Sequence, residues 1–127
     1  MTQPPPARNL RLKRAYEAPA PDDGERILVE RLWPRGVRKE ALQLADWDKD
    51  IAPSTELRKW YGHEPARWDE FRQRYAAELR QQPERLQALR TRARAGVVTL
   101  IYSSHTETQN NAVALRDFLL HPELLSG

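Results

Sequence analysis

The six residues Val97-Val98-Thr99-Leu100-Ile101-Tyr102 constrain the fold more than any other part of the chain. They are apolar at nearly every position, so a strand built from them turns hydrophobic side chains to both of its faces. A sheet with one face in water has no place for such a strand, whereas a parallel sheet covered on both faces requires one. Parallel partners must therefore come from elsewhere in the chain, joined by long crossovers. Two are legible upstream. Asn9 to Tyr16 alternates, with Leu10 and Leu12 on one side and Arg11 and Lys13 on the other, the period of a half-buried strand. Ile27-Leu28-Val29 follows the turn-forming stretch APAPDDG, and this second strand should end at Trp33-Pro34, because proline offers no N–H to a ladder.

Between the second strand and Val97 the period changes to that of helices. From Arg38 one helical face is expected through Ala41, Leu42 and Ala45 to Trp47. A short helix should follow, capped by Ser54, carrying Leu57, Trp60 and Tyr61 and stopped by Gly62. Pro65 opens a longer one whose stripe is Trp68, Phe71, Tyr75 and Leu79, a spacing that fits core packing better than base stacking. Pro83 and Gly96 bracket the next, and the last is expected to start after Thr106, where Thr106 and Gln109 have the spacing of a capping box. The result is a single small α/β domain: a mainly parallel sheet of three or more strands flanked by helices, its second and third strands joined by a right-handed crossover. Residues 1–8, with three consecutive prolines, are expected to be a flexible arm, residues 9–122 the domain and residues 123–127 a tail.

Composition narrows the chemistry. The chain has 127 residues, room for one domain, and only 39% are apolar, which implies a thin core. The absence of cysteine removes disulfides, thiolate metal sites and a cysteine nucleophile. No apolar run approaches the roughly 20 residues of a membrane span and the first residues do not read as a signal peptide, so a cytoplasmic protein without membrane contact is expected. The net charge of +3 sets 21 basic against 18 acidic residues, and seventeen of the basic ones are arginine. That bias points either to anionic partners or to nothing more than base composition.

Open α/β sheets bind ligands at the carboxyl ends of their parallel strands, and both exits here carry unusual residues. After the second strand come Arg31-Leu32-Trp33-Pro34-Arg35-Gly36, and after the third come Tyr102-Ser103-Ser104-His105-Thr106, followed by Gln109, Asn110 and Asn111. Together they would offer guanidinium forks, hydroxyl and amide donors and a helix amino terminus to a small anionic or phosphorylated ligand. The same residues also serve purely structural ends: Trp33 and Pro34 as a core cap, Arg31 paired with Glu30 or Glu40, Ser104 and Thr106 as helix caps. Neither GxGxxG nor GxxxxGK[ST] is present, no cofactor is implied, and His63, His105 and His121 lack metal-ligand spacing. His105, His63 and Ser104 are weak candidates for catalysis, since a nucleophilic serine needs an oriented base within reach. Arg90, Arg92 and Arg94, with Arg85, read as a solvated helix face or as a phosphate-backbone contact.

The blocks RLWPRG at Arg31–Gly36, IAPS at Ile51–Ser54, LRKWYGH at Leu57–His63, TLIY at Thr99–Tyr102 and NNA at Asn110–Ala112 closely resemble the domain of unknown function 488 family in its YeaO-like branch, over about Leu10 to Leu120. The resemblance implies a small cytosolic bacterial α/β protein, without an assigned reaction, and puts weight on Arg31, Trp33, Pro34, Arg35, Gly36, Ser54, Arg58, Trp60, His63, Tyr102, Asn110 and Asn111. Members often carry a histidine just before the asparagine pair, where this chain has Gln109. Arg58 is expected to point inward as a support for the RLWPRG loop. Two classes of function follow. The first is a small-molecule site, enzyme or sensor, between the strand exits, with Arg31, Trp33, Arg35, Gly36, Arg58, Tyr102, Ser103, Ser104, Asn110 and Asn111 around an anionic ligand. The second is an interaction or nucleic-acid-associated protein using its arginines, for which weak, non-specific binding is expected at so small a charge surplus.

Overall fold

The structure, a computed structural model, describes residues 3–125. Among them, β1 (Leu10–Arg14), β2 (Glu25–Leu28), β3 (Asp46–Trp47) and β4 (Val98–Tyr102) form one sheet in the order β1-β4-β2-β3, and every neighbouring pair is parallel. The strand apolar on both sides occupies an interior position, and all five residues of β4 are buried. Five helices flank the sheet: α1 (Lys39–Leu42), α2 (Thr55–Tyr61), α3 (Trp68–Leu79), α4 (Pro83–Ala95) and α5 (Asn111–Leu120).

The pleat divides the core unequally. Val98, Leu100 and Tyr102 of β4, Ile27 of β2, Val29 just beyond it and Leu10 of β1 face a large cluster completed by α2 to α5. Thr99 and Ile101, Leu28 and Ala15 face the other way, where Leu42, Trp33, Val37, Leu44 and Trp47 form a much smaller one. The aromatic series belongs to the large cluster as expected: Phe71 and Tyr75 are fully buried, and Tyr61 stacks on Phe71 with ring centroids 4.4 Å apart.

Three local expectations are corrected. The helix after Arg38 stops at Leu42 because Gln43 turns left-handed, at φ 48°, and Trp47 lies in β3 instead. Ala45, far from lying on a helical face, donates its N–H to the carbonyl of Arg26 at 2.8 Å and so leads the chain into the sheet. The last helix begins at Asn111 and not after Thr106: the Asn110 amide accepts from Val113 N–H at 2.9 Å and donates to the Thr106 carbonyl at 2.7 Å, two bonds a threonine hydroxyl at 106 does not make. Arg90, expected on a solvated face, is buried and donates to the Phe118 and Leu119 carbonyls, tying α4 to the end of α5. Ser54 does cap α2, and its own N–H and hydroxyl are held by the Glu78 carboxylate.

The expected arm and tail both touch the domain. Pro5 is buried, Arg94 donates to the Gln3 carbonyl at 2.6 Å, and Arg116 to that of Ala7 at 3.0 Å. Arg80 donates to the Leu125 carbonyl at 2.6 Å. Residues 1–2 of that arm and 126–127 of that tail lie outside the described residues. No helix among the described residues is long and apolar enough to cross a membrane.

At the amino end of the sheet the packing is closed. Gly24 has φ 63° and stands against the start of β4, where a Cβ would run into the carbonyl of Val97. The Asp23 carboxylate beside it accepts from Lys13 Nζ, Arg26 Nη1 and Ala20 N–H at 2.9, 2.6 and 3.0 Å. Burial pushes the Asp23 carboxyl up, but those hydrogen bonds outweigh it and hold it below its ordinary value.

Candidate functional site

The carboxyl ends of β2 and β4 open into a cavity of about 480 Å³. Four ties set its walls. Asn111, at the start of α5, donates to the Val29 carbonyl at 2.7 Å and brings that helix against the exit of β2. Tyr61, at the end of α2, donates its hydroxyl to the Gln109 carbonyl at 2.8 Å. On the opposite side, Arg14 Nε donates to the Ser104 carbonyl at 2.8 Å and the Tyr16 hydroxyl to the Arg35 carbonyl at 3.0 Å.

Two strand exits far apart in sequence thus converge, and Arg35 lines the same space as Asn110 and Asn111. Arg31, Trp33, Arg58, Ser103 and Ser104 line it too, as do His63 and His105. Gly36 and Tyr102, placed in the ligand set from sequence, do not: Tyr102 turns into the large cluster, and Gly36 lies past the rim.

Several of these side chains are already engaged. Arg31 Nε donates to the Pro53 carbonyl at 2.8 Å and Nη2 to that of Ala52 at 3.2 Å, so it braces the loop before α2. This is the supporting part expected of Arg58, which is instead exposed and bonded to nothing in the RLWPRG loop. Trp33 donates to the Val37 carbonyl and meets Trp47 edge to face, with centroids 5.3 Å apart. Asn110 is consumed as the cap of α5, so the donors expected from that helix start are partly in use. The serines are not poised against a base: the Ser103 hydroxyl goes to Glu30, that of Ser104 accepts from Thr106 N–H, and the ring of His105 lies 3.4 Å from Arg14 Nη2.

The residue that sequence reasoning missed is Glu30. Its Oε1 accepts from Ser103 N–H at 3.0 Å and from the Ser103 hydroxyl at 3.3 Å, while Oε2 has no hydrogen-bond partner among the described residues. Burial pushes this carboxyl above its ordinary value, against the pull of the Ser103 bonds and of the Arg58 charge. From sequence it was no more than a counter-ion for Arg31. A lone acid between Val29 and Arg31 gives no signal of burial until β4 is laid beside β2. His63, the other unusual lining residue, has φ 59°, a left-handed conformation costly to a side chain with a Cβ. No group of three or more metal-ligating side chains is present among the described residues.

Residues 9–124 match the family described as the inactive DUF488-N3 subclade. The chain is 46% identical over 111 residues to the uncharacterized protein YeaO of Escherichia coli K12, covering 87% of this chain and 96% of that one. It is 43% identical over 110 residues to the uncharacterized protein Rv3073c of Mycobacterium tuberculosis H37Rv, covering 87% and 92%. No solved structure matches it significantly.

Proposed function

Because the chain belongs to the DUF488 family, in the subclade described as inactive, we propose that its cleft binds a small anionic or phosphorylated ligand and does not transform it. One observation carries this reading. Of the seventeen arginines, only Arg8, Arg35, Arg38 and Arg58 have side chains that make no hydrogen bond or ion pair with another described residue, and two of those four line the cavity. A guanidinium left unpaired beside a cavity is a ready fork for a carboxylate or phosphate. The volume of about 480 Å³ suits a small molecule, since such sites run from roughly 300 to 1,000 Å³.

The alternative, an arginine-rich interaction surface, draws on side chains that are largely spoken for. Lys13 is paired with Asp23, Arg85 with Asp48 and Asp50, and Arg92 with Glu25 and Asp46, while Arg90 is buried. The test is a titration of the purified protein with inorganic phosphate and a panel of sugar and nucleoside phosphates, read by calorimetry. Arg35→Ala and Arg58→Ala should each weaken binding about tenfold, as expected for a lost charged hydrogen bond. Silence toward every phosphorylated probe, or binding indifferent to both substitutions, overturns the reading.

A further inference from the structure

The cleft holds a second feature that an anion alone does not explain. An inorganic anion entering it would meet the Arg35 and Arg58 guanidinium groups, neither of them hydrogen-bonded to a described residue, but also the Glu30 carboxyl, whose Oε2 accepts no hydrogen bond among the described residues. A carboxylate repels an anion and asks for donors. A ligand that satisfies both must therefore carry an anionic group at one end and hydrogen-bond donors at the other. Resting on the anion reading above, we infer that the ligand is a phosphorylated sugar or polyol, with hydroxyl groups on Glu30 and its phosphate on Arg58 and Arg35.

Three features favour hydroxyls over an ammonium group as the donor. Glu30 is the only acidic side chain that lines the cavity, and the Arg58 charge acts on it, so a second cation there has one carboxyl to share with an arginine. A carboxyl accepts from a hydroxyl whether or not it is ionised, so the burial that pushes this one above its ordinary value leaves that bond available. Trp33, half-buried, adds apolar ring surface to the wall, against which the carbon face of a sugar ring can pack. Acidic side chains on ribose hydroxyls are a recurrent solution at the same place in other parallel sheets, the carboxyl ends of the strands.

The experiment compares ribose 5-phosphate, ribose, inorganic phosphate and phosphoethanolamine by calorimetry on the intact protein. Ribose 5-phosphate should bind at least about tenfold more tightly than phosphate or ribose, the worth of one good charged hydrogen bond. Glu30→Gln should remove most of that advantage and leave phosphate binding unchanged or stronger. Arg58→Ala should weaken ribose 5-phosphate and phosphate together, and as a change at an exposed position it stands in if Glu30→Gln fails to fold. Equal affinity for ribose 5-phosphate and phosphate, both lost in Arg58→Ala, would sink the sugar and keep the anion site. Phosphoethanolamine binding best, with Glu30→Gln abolishing its advantage, would replace hydroxyls by an ammonium group. No binding by any phosphorylated probe would remove both readings at once.

Discussion

Strand β2 is bracketed by two acidic residues that the fold treats in opposite ways. Asp23, before it, is 4% exposed and surrounded by donors from Lys13, Arg26 and the Ala20 amide, which together hold its carboxyl below the ordinary value. Glu30, after it, has Ser103 alone, and burial pushes its carboxyl up. The arginines differ too: at one end Arg26 gives Nη1 to Asp23 and Nε to the Leu42 carbonyl, with Nη2 buried and unpartnered, while at the other the Arg35 and Arg58 side chains make no hydrogen bond with a described residue and Arg58 acts on Glu30 through its charge alone. A buried charge that the chain satisfies for itself is architecture. A charge brought to the edge of a cavity and left half satisfied costs stability, and groups of that kind cluster at functional sites.

The largest effect should come from breaking the closed end. Asp23→Ala leaves Arg26 buried without its counter-ion and should cost about 3–5 kcal/mol, read by urea denaturation. Gly24→Ala attacks the same end through the backbone, because φ 63° and the Val97 carbonyl both reject a Cβ, and a loss of about 3 kcal/mol or more is expected. A loss under about 1 kcal/mol in both would dissolve the contrast. The open end should respond differently. Glu30→Gln removes a charge that burial disfavours, so at pH 7 it should leave stability unchanged or raise it.

Acidity sharpens the difference, because the two carboxyls have opposite signs. Asp23 is depressed in the folded state, so its stabilisation is present above its ordinary 3.8 and is lost as pH falls through the lower folded value. Glu30 is raised, so its stability contribution is complete below its ordinary 4.5 and declines as pH climbs toward the raised folded value. Melting curves should therefore show any gain from Glu30→Gln at pH 7 vanishing at pH 4, while the Asp23→Ala penalty persists at pH 4 and shrinks only in stronger acid. The smallest effects belong to Arg35→Ala and Arg58→Ala, which should change stability by less than about 0.5 kcal/mol, since neither side chain makes a hydrogen bond with a described residue. A larger loss in either would mean that it is structural after all.

What the sequence disclosed of this arrangement follows the reach of each signal. The interior strand, the Ser54 cap, the aromatic stripe and the stops at Gly62 and Gly96 are local patterns, and each appears where its residues predict. The two-residue β3 has no pattern to read; it exists because Ile27 and Leu28 offer a free edge to Asp46 and Trp47. The start of α5 was expected at a Thr106 cap, and the cap at Asn110 is set by loop geometry that the sequence does not display. At the cleft, the convergence of the two exits followed from parallel pairing, but the division of labour did not. Arg31 and Arg58 look alike in sequence, and which one braces a loop depends on where the carbonyls of Ala52 and Pro53 come to lie.

The strand order carries a consequence in time. Leu10 pairs with Val98 and Glu25 also with Val98, so β1 and β2 share a partner that is synthesised long after both of them. Until β4 emerges from the ribosome the sheet has no interior strand, and β2 has only the two residues of β3 beside it. Closing loops of that length is slow, so the contact order of this small domain places it among slower folders than its helix content alone would suggest. During the wait Leu10, Ile27, Leu28 and Val29 have no sheet to cover them, and Arg11, Lys13 and Arg26, interspersed among them, keep the nascent edges charged.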